Sequence, residues 1–393
     1  MILGDSTVYC GLSPAAMEKM LPKGYYVLNA GTGSQQIWGS YYYLKDLAGK
    51  YDIDAVVLGI DQWAFTKQGE SIKRDLLIID RIKNPLIKLE FVRNVLKPEE
   101  YPYLLKSYAN RSEWGNIPAN LREKFNKGYW EKKLDVSGLE ELNRGYFPNG
   151  AGMKAEQIGI GTLDEFSAET INPVSIDYLH QLVTFCKSEG IKLYMVCMPA
   201  VSTAVYSTDS YSVFTDFFTA YAKEKSVTFW DLNLMRDRME LIPDTDMTDT
   251  VHISALGAQK ISKRLGQLIH DDLRGEWKDD IFFDTLENWK HSLSGIVGCD
   301  LYTKPVEGIS DRRFYAESIQ NEDIAVEYAF WVSNESETGE WILLQDYSES
   351  GDCMIPGKYL ESDIWLKVCV REKGMDSGKK ICCVRMRSPE MSD

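Results

Sequence analysis

Four short stretches of this chain carry residues able to make and break an acyl bond. Gly4-Asp5-Ser6 follows an apolar stub, and Asn29-Ala30-Gly31-Thr32-Gly33-Ser34 ends a second apolar run. Gly59-Ile60-Asp61-Gln62 ends a third, and DMTDTVHISALGAQ sets Asp249 and His252 three residues apart. A serine hydroxyl attacks an acyl carbon when a base takes its proton as the bond forms, and the base works best with a carboxylate fixing its tautomer. Ser6, His252 and Asp249 have the types for nucleophile, base and orienting group. Negative charge then builds on the former carbonyl oxygen and needs preorganised donors, which the Ser6 amide and the turn from Gly31 to Ser34 can supply.

Each residue also has a plainer reading. Serine is a favoured helix N-cap, so Ser6 could simply start a helix. Asp249 could cap the helix beginning near Ser254, although Ser254 suits that role better. Asp61 reads equally as a strand-end residue binding backbone amides. Trp38, Tyr41, Tyr42 and Tyr43 could stack on sugar rings, but a helix packing aromatics on a sheet is the more ordinary arrangement. The remaining histidines, His180, His270 and His291, sit in helical or linker contexts and read as structural. No G-x-G-x-x-G spacing, Walker lysine or zinc-spaced His/Cys pair occurs, so neither cofactor nor metal is expected.

The elements that must position these groups follow an alternating pattern. Apolar strands are expected at the ILG stub, 25–30, 54–60, 192–198 and 227–233, with helices at 38–51, 175–190, 211–225 and 254–273. Such alternation predicts an α/β domain with a parallel sheet, over residues 1–275. Ligands bind beyond the carboxyl ends of such strands, where the four stretches fall. An insertion at about 66–172 separates the third and fourth strands and reads as a lid or groove wall. After a linker at 276–295 the period changes to two: Val326, Tyr328, Phe330 and Val332 share one face, as do Ile364, Leu366, Val368 and Val370. Residues 296–393 are therefore expected to form an all-β, Ig-like sandwich.

Bulk properties narrow the function. The net charge of -15 repels nucleic-acid phosphates and anionic lipid, so neither is an expected partner. It also disfavours a highly anionic polymer, unless the Lys and Arg residues between 73 and 106 line the groove. No run reaches the roughly 18 apolar residues of a spanning helix. Only three residues precede Gly4, fewer than the usual 5 or so of a strand, so upstream sequence carrying an anchor or export signal is expected. Cys10, Cys186 and Cys197 read as core, and the adjacent Cys382 and Cys383 should face opposite ways on a strand.

GDS near the start, N-x-G-T-G-S, G-I-D-Q and D-T-V-H, in that order, resemble the four blocks of the SGNH (GDSL-type) hydrolase superfamily. LNAGTGSQQ, WGSYYYLK and VHISALGAQKIS are similar to its bacterial cell-surface branch, which includes proteins of teichoic-acid D-alanylation and polysaccharide O-acetylation. The resemblance implies a flavodoxin-like three-layer α/β/α fold and an acyl-enzyme on Ser6, with His252 as base and Asp249 as its partner. It implies an oxyanion hole from Ser6, the Gly33–Ser34 turn and the side chain at Asp61. It also implies an acylated glycan or small acyl ester as substrate, a membrane-bound protein as an alternative acyl donor, and a cell-surface or extracytoplasmic location. Two positions depart from the pattern: Ser34 replaces the second-block glycine, and Asp61 replaces the third-block asparagine. An ionised Asp61 would repel an oxyanion; it must be protonated or turned away, with Gln62 or a backbone amide donating instead. A non-catalytic relative that binds a surface glycan or assembly partner is the alternative. The C-terminal region loosely resembles triple-tyrosine β-sandwich modules through Tyr328-x-Phe330, Trp341, Tyr347, Pro356 and Tyr359, with Trp365 departing from that rhythm.

Overall fold

Short apolar runs pair in parallel because the helices between them return the chain to the same edge of the sheet. In the computed structural model these strands are β1 (Ile2–Leu3), β2 (Ala55–Gly59), β3 (Lys192–Cys197) and β4 (Thr228–Asp231), in that spatial order. The structure describes residues 1–66, 72–109, 116–125, 144–150, 160–237, 241, 243–276, 280–293, 295–305, 312–320, 324–334, 339–359, 363–375 and 380–387. Much of the expected 66–172 insertion, and Trp277 at the start of the expected linker, lie outside them.

Alternate side chains enter two cores, one on each face of the sheet. Leu3, Val56, Leu58, Leu193 and Met195 pack with the helices Ile37–Ala48, Pro173–Ser188 and Tyr211–Lys225. Ile2, Val57, Tyr194, Val196 and Trp230 pack against Ala258, Ile261, Leu265 and Leu268, the apolar stripe of helix Ala255–Arg274. Among the described residues no helix is long and apolar enough to cross a membrane.

The strand expected at 25–30 is reduced to one bridge, Ile2 to Asn29. Two backbone bonds hold it, from the Ile2 amide to Leu28 and from the Ala30 amide to Ile2. The physical reason is the alternation of a parallel ladder: on this side of β1 Ile2 does the bonding, and the next residue that would do so, Gly4, has already turned out of the strand. The last expected strand also stops early, at Asp231, where the Asp231 carboxylate accepts the Asn233 amide and turns the chain into a short 3-10 helix.

Thr66 bridges Ile171, and the Asn172 amide donates to the Phe65 carbonyl at 2.7 Å, so the chain leaves and re-enters the α/β unit through one narrow neck. Between them, helices Ile72–Arg81 and Pro85–Val95 bury Ile78, Ile79 and Phe91, with Ile82 from the link between the two, against the aromatic helix Ile37–Ala48.

The stretch 286–292, read from sequence as linker, is helical, and it buries Leu286 and Trp289 in the α/β core. Two antiparallel sheets follow. One is ordered β11 (Lys380–Arg387), β10 (Ile364–Glu372), β7 (Val326–Ser333), β8 (Ile342–Ser348). The other is ordered β5 (Ile296–Pro305), β6 (Arg312–Gln320), β9 (Asp352–Ile355). They share one core, in which Phe314 meets Phe330 and the alternating Ile364, Leu366, Val368 and Val370 are buried. Cys383 faces that core, whereas Cys382 stands opposite Cys369 on the other face and forms a disulfide with it.

Candidate active site

Gly4 makes the turn out of β1 with φ of +138°, a conformation that side-chain-bearing residues rarely adopt. A Cβ there would also lie 2.8 Å from Val8 and 3.2 Å from the backbone of Gly59, so the first helix sits directly over the end of β2. That helix, Ser6–Gly11, is capped by Asp5, whose carboxylate accepts the Thr7 amide at 2.9 Å and the Thr7 hydroxyl at 2.7 Å. Ser6 is thus the first helical residue and not the cap. Its amide has no hydrogen-bond partner among the described residues, as expected for the first turn of a helix.

The loop before helix Ala255–Arg274 brings the other two members in. Ser254 caps that helix by accepting the Gly257 amide, which leaves Asp249 free of that task. Asp249 instead accepts the amides of Val251 and His252 on Oδ1, at 2.9 and 2.7 Å, and faces His252 Nδ1 with Oδ2 at 2.7 Å. Nε2 of His252 lies 2.8 Å from Ser6 Oγ. Burial opposes charge on Asp249, but the His252 ring and the two amides outweigh it and bring the carboxyl down to about 2. An ionised Asp249 can only accept, so His252 Nδ1–H donates to it and Nε2 is left to accept the Ser6 hydroxyl proton. The same bond to Asp249 raises the pKa of His252 against the opposing effect of burial.

The second stretch is tied to the first through Asn29, which is buried. Its side-chain nitrogen donates to the carbonyls of Val8 and Leu12, both at 2.9 Å, and its oxygen accepts the Gly31 amide at 3.1 Å. The Thr32 amide reaches the Gly4 carbonyl at 3.1 Å, which holds the Gly31–Ser34 turn beside Ser6. Ser34 adopts φ of +61°, the left-handed region that glycine prefers. The position where the resemblance expects a glycine thus holds a serine in a conformation that glycine favours.

Asp61 sits at the rim of the same site. Its Oδ1 accepts the Ala64 amide at 2.7 Å, so the backbone-binding role considered from sequence is present, yet the residue also lines the cavity. Burial, and then the neighbouring Asp5 carboxylate, push its pKa well above the ordinary range, while the Ala64 amide pulls the other way. Both effects favour the protonated form of Asp61, which can hydrogen-bond to Asp5. Protonation removes the charge that would repel an oxyanion.

Two recesses meet at Ser6 and His252. One, of about 480 Å³, is lined by Ser34, Asp61, Gln62, Trp63, Arg74 and Asp164 among others, with the Arg74 guanidinium 4.7 Å from the centre of the Trp63 ring. The other, of about 350 Å³, is bounded by Tyr9, Cys10, Gly33, Phe147 and Asn149, and its Tyr9 and Phe147 rings stack at 5.7 Å. Residues 144–150 reach this recess by backbone bonds, from the Asn29 amide to Arg144 and from the Phe147 amide to Tyr9. Burial, with Asp5 and Asp249 nearby, lifts the Cys10 thiol to about 11, so it holds no thiolate to compete with Ser6. A larger apolar recess, of about 560 Å³, lies by Met1, Tyr26 and Leu273, away from these groups, and holds none of the chemistry.

The aromatic helix does not reach the site with its rings. Trp38, Tyr41 and Tyr42 are core, Trp38 donating to Asp75 at 2.7 Å and Tyr42 packing on Phe91, while Tyr43 is half-buried. His180 pairs with the Tyr221 hydroxyl, His270 with Asp271 and His291 with the Glu287 carbonyl. Among the described residues no cluster of His, Cys, Asp or Glu could hold a metal. Sequence reasoning gave no weight to the buried carboxamides Gln35 and Gln36, and offered Gln62 only as an alternative donor. All three are buried, with atoms that lack partners among the described residues. Glutamine is usually exposed, so its place directly after two motif turns was the available signal.

No family model and no curated protein matches the chain. Among solved structures, an engineered protein from a structural genomics programme aligns at 10% identity over 98% of this chain and 86% of that one, with a TM-score of 0.18. A nucleoside hydrolase-related hypothetical protein from Saccharophagus degradans, described as associated with carbohydrate metabolism, aligns at 12% identity over 98% and 97%, with a TM-score of 0.17. Superpositions at that level identify no shared fold.

Proposed function

We propose that this chain is a serine-dependent acyl-ester enzyme of the SGNH (GDSL) type, a hydrolase or O-acyltransferase acting on a cell-surface or exported polysaccharide. The observation that carries the reading is the continuous chain from Asp249 through His252 to Ser6, at 2.7 and 2.8 Å. Ser6 Oγ forms a bond to the acyl carbon as its proton passes to His252 Nε2, and the carbonyl π pair moves onto oxygen. Collapse restores the carbonyl and expels the alcohol oxygen, which takes the proton from His252. Water, or a sugar hydroxyl, then repeats the sequence on the acyl-enzyme. Ester hydrolysis or transfer follows from which acceptor enters.

The fold supports the same family. With the bridged segment at Asn29 beside β1, the segments run 2-1-3-4-5 in chain order, which is the doubly wound flavodoxin-like arrangement. We read the C-terminal sheets as an Ig-like, triple-tyrosine-type sandwich that binds or spaces. The Cys369–Cys382 disulfide supports an extracytoplasmic setting, since such bonds persist in oxidising compartments. An acylated glycan or small acyl ester, or a membrane-bound acyl donor, is the partner expected.

Fluorophosphonate labelling and turnover of 4-nitrophenyl acetate, for wild type and Ser6→Ala, test the reading. Labelling and turnover that both depend on Ser6 are expected. Their absence from the wild type replaces it with the alternative, a non-catalytic glycan- or partner-binding relative.

A further inference from the structure

We propose that Gln62 supplies the side-chain donor of the oxyanion hole, its carboxamide N–H reaching the substrate carbonyl oxygen alongside the Ser6 amide. This rests on the acyl-ester reading above and assigns a residue to the step that reading leaves open. Three observations carry it. Gln62 lines the same recess as Ser6, Ser34 and His252. The residue is only 5% exposed, and among the described residues its Nε2 has no hydrogen-bond partner. An unpaired buried amide donor is disfavoured by about 1–3 kcal/mol, so no bond of that nitrogen anchors the carboxamide in this orientation. A half turn about χ3 exchanges the oxygen and nitrogen without changing the shape and brings the donor to the recess, where a substrate oxygen can accept from it.

The neighbouring residues fit this arrangement. Gln62 directly follows Asp61, whose side chain ties the loop down through the Ala64 amide, and the Phe65 amide closes back onto the Gln62 carbonyl at 3.1 Å. The backbone around Gln62 is therefore held from both sides. Asp61 is in this sense a positioning residue. Its raised pKa keeps a second negative charge away from the oxygen that Gln62 would hold. The Ser6 amide, first in its helix, adds a backbone donor from the positive end of the same turn.

The test compares wild type, Gln62→Met and Gln62→Ala in 4-nitrophenyl acetate turnover and in binding of a trifluoromethyl ketone, whose adduct with Ser6 carries an oxyanion. Thermal melts verify that each variant folds. Removal of one oxyanion donor should lower kcat about 100-fold with KM within about twofold. Ketone affinity should fall in parallel, and the pH midpoint set by His252 should stay in place in Gln62→Met. A variant that folds and retains kcat within about threefold overturns the assignment while leaving the Ser6 reading intact. A wild type that neither turns over nor labels overturns both. If Gln62→Met does not fold, Gln62→Ala, which removes the donor with less bulk and adds no titrating group, decides by the same readings.

Discussion

Two loops meet at Ser6, and each brings one aspartate. Asp249 has one half of its surface in solvent and accepts three N–H groups, two from backbone and one from His252. Asp61 accepts one amide and faces the carboxylate of Asp5. The first is driven down to about 2 and the second well above its ordinary value. The same side chain is therefore driven toward the anion in one loop and toward the acid in the other. Donor count and neighbouring charge decide which, and the chemistry of the site depends on that difference.

The largest effect tests the target both loops serve. Ser6→Ala, or His252→Ala, should lower ester turnover by on the order of 10⁴-fold or more, measured under single-turnover conditions. Residual turnover near wild type in Ser6→Ala would remove the common target altogether. Asp249→Asn should follow at about 10³- to 10⁴-fold, because an amide in its place no longer fixes the Nδ1–H tautomer. Asp61→Asn should leave turnover unchanged or higher, since its surroundings already disfavour the charge that the substitution removes. Equal losses in the two variants would erase the contrast.

The pH profile sharpens it further. Asp249 raises the His252 pKa above the usual 6.5, and only neutral His252 can accept the serine proton. Turnover should rise with pH through that raised midpoint, falling about tenfold per pH unit below it. In Asp249→Asn the midpoint of the residual activity should move down. A midpoint that stays put would show that the carboxylate does not act on the ring.

The smallest effect is on stability. Between the ordinary aspartate pKa of 3.8 and the raised value of Asp61, the folded state holds a proton that the unfolded state releases. Stability contributed by this group therefore falls as pH rises through that window. Asp61→Asn keeps an acceptor for the Ala64 amide and removes the penalty. A melting-temperature gain of about 2–4 °C is expected near neutral pH, the shift that ~1 kcal/mol gives in a domain of this size, with little gain near pH 3. A loss at neutral pH would mean that Asp61 is ionised and paired in the folded protein.

The sequence by itself carried the alternation of apolar runs and helices, because side-chain periodicity is a local property. Helix 211–225 and the core faces of β7 and β10 were readable for that reason. It also offered Ser6, Asp249 and His252 as a set, by type and by order. The strand expected at 25–30 was not decidable locally, because its extent depends on where β1 turns away at Gly4, leaving Ile2 to bond it. Nor could sequence assign Ser6 as N1 with Asp5 as cap, the left-handed turn at Ser34, or the pairing of Cys369 with Cys382. The charges of Asp61 and Asp249 are the clearest case. Both are written as the same letter. Asp249 meets three donors from residues two and three places on, once the loop folds back on itself, whereas Asp61 meets the carboxylate of Asp5, which only the tertiary structure brings there. A pKa is set by what surrounds a group within a few ångströms, and for Asp61 those surroundings come from a distant part of the chain.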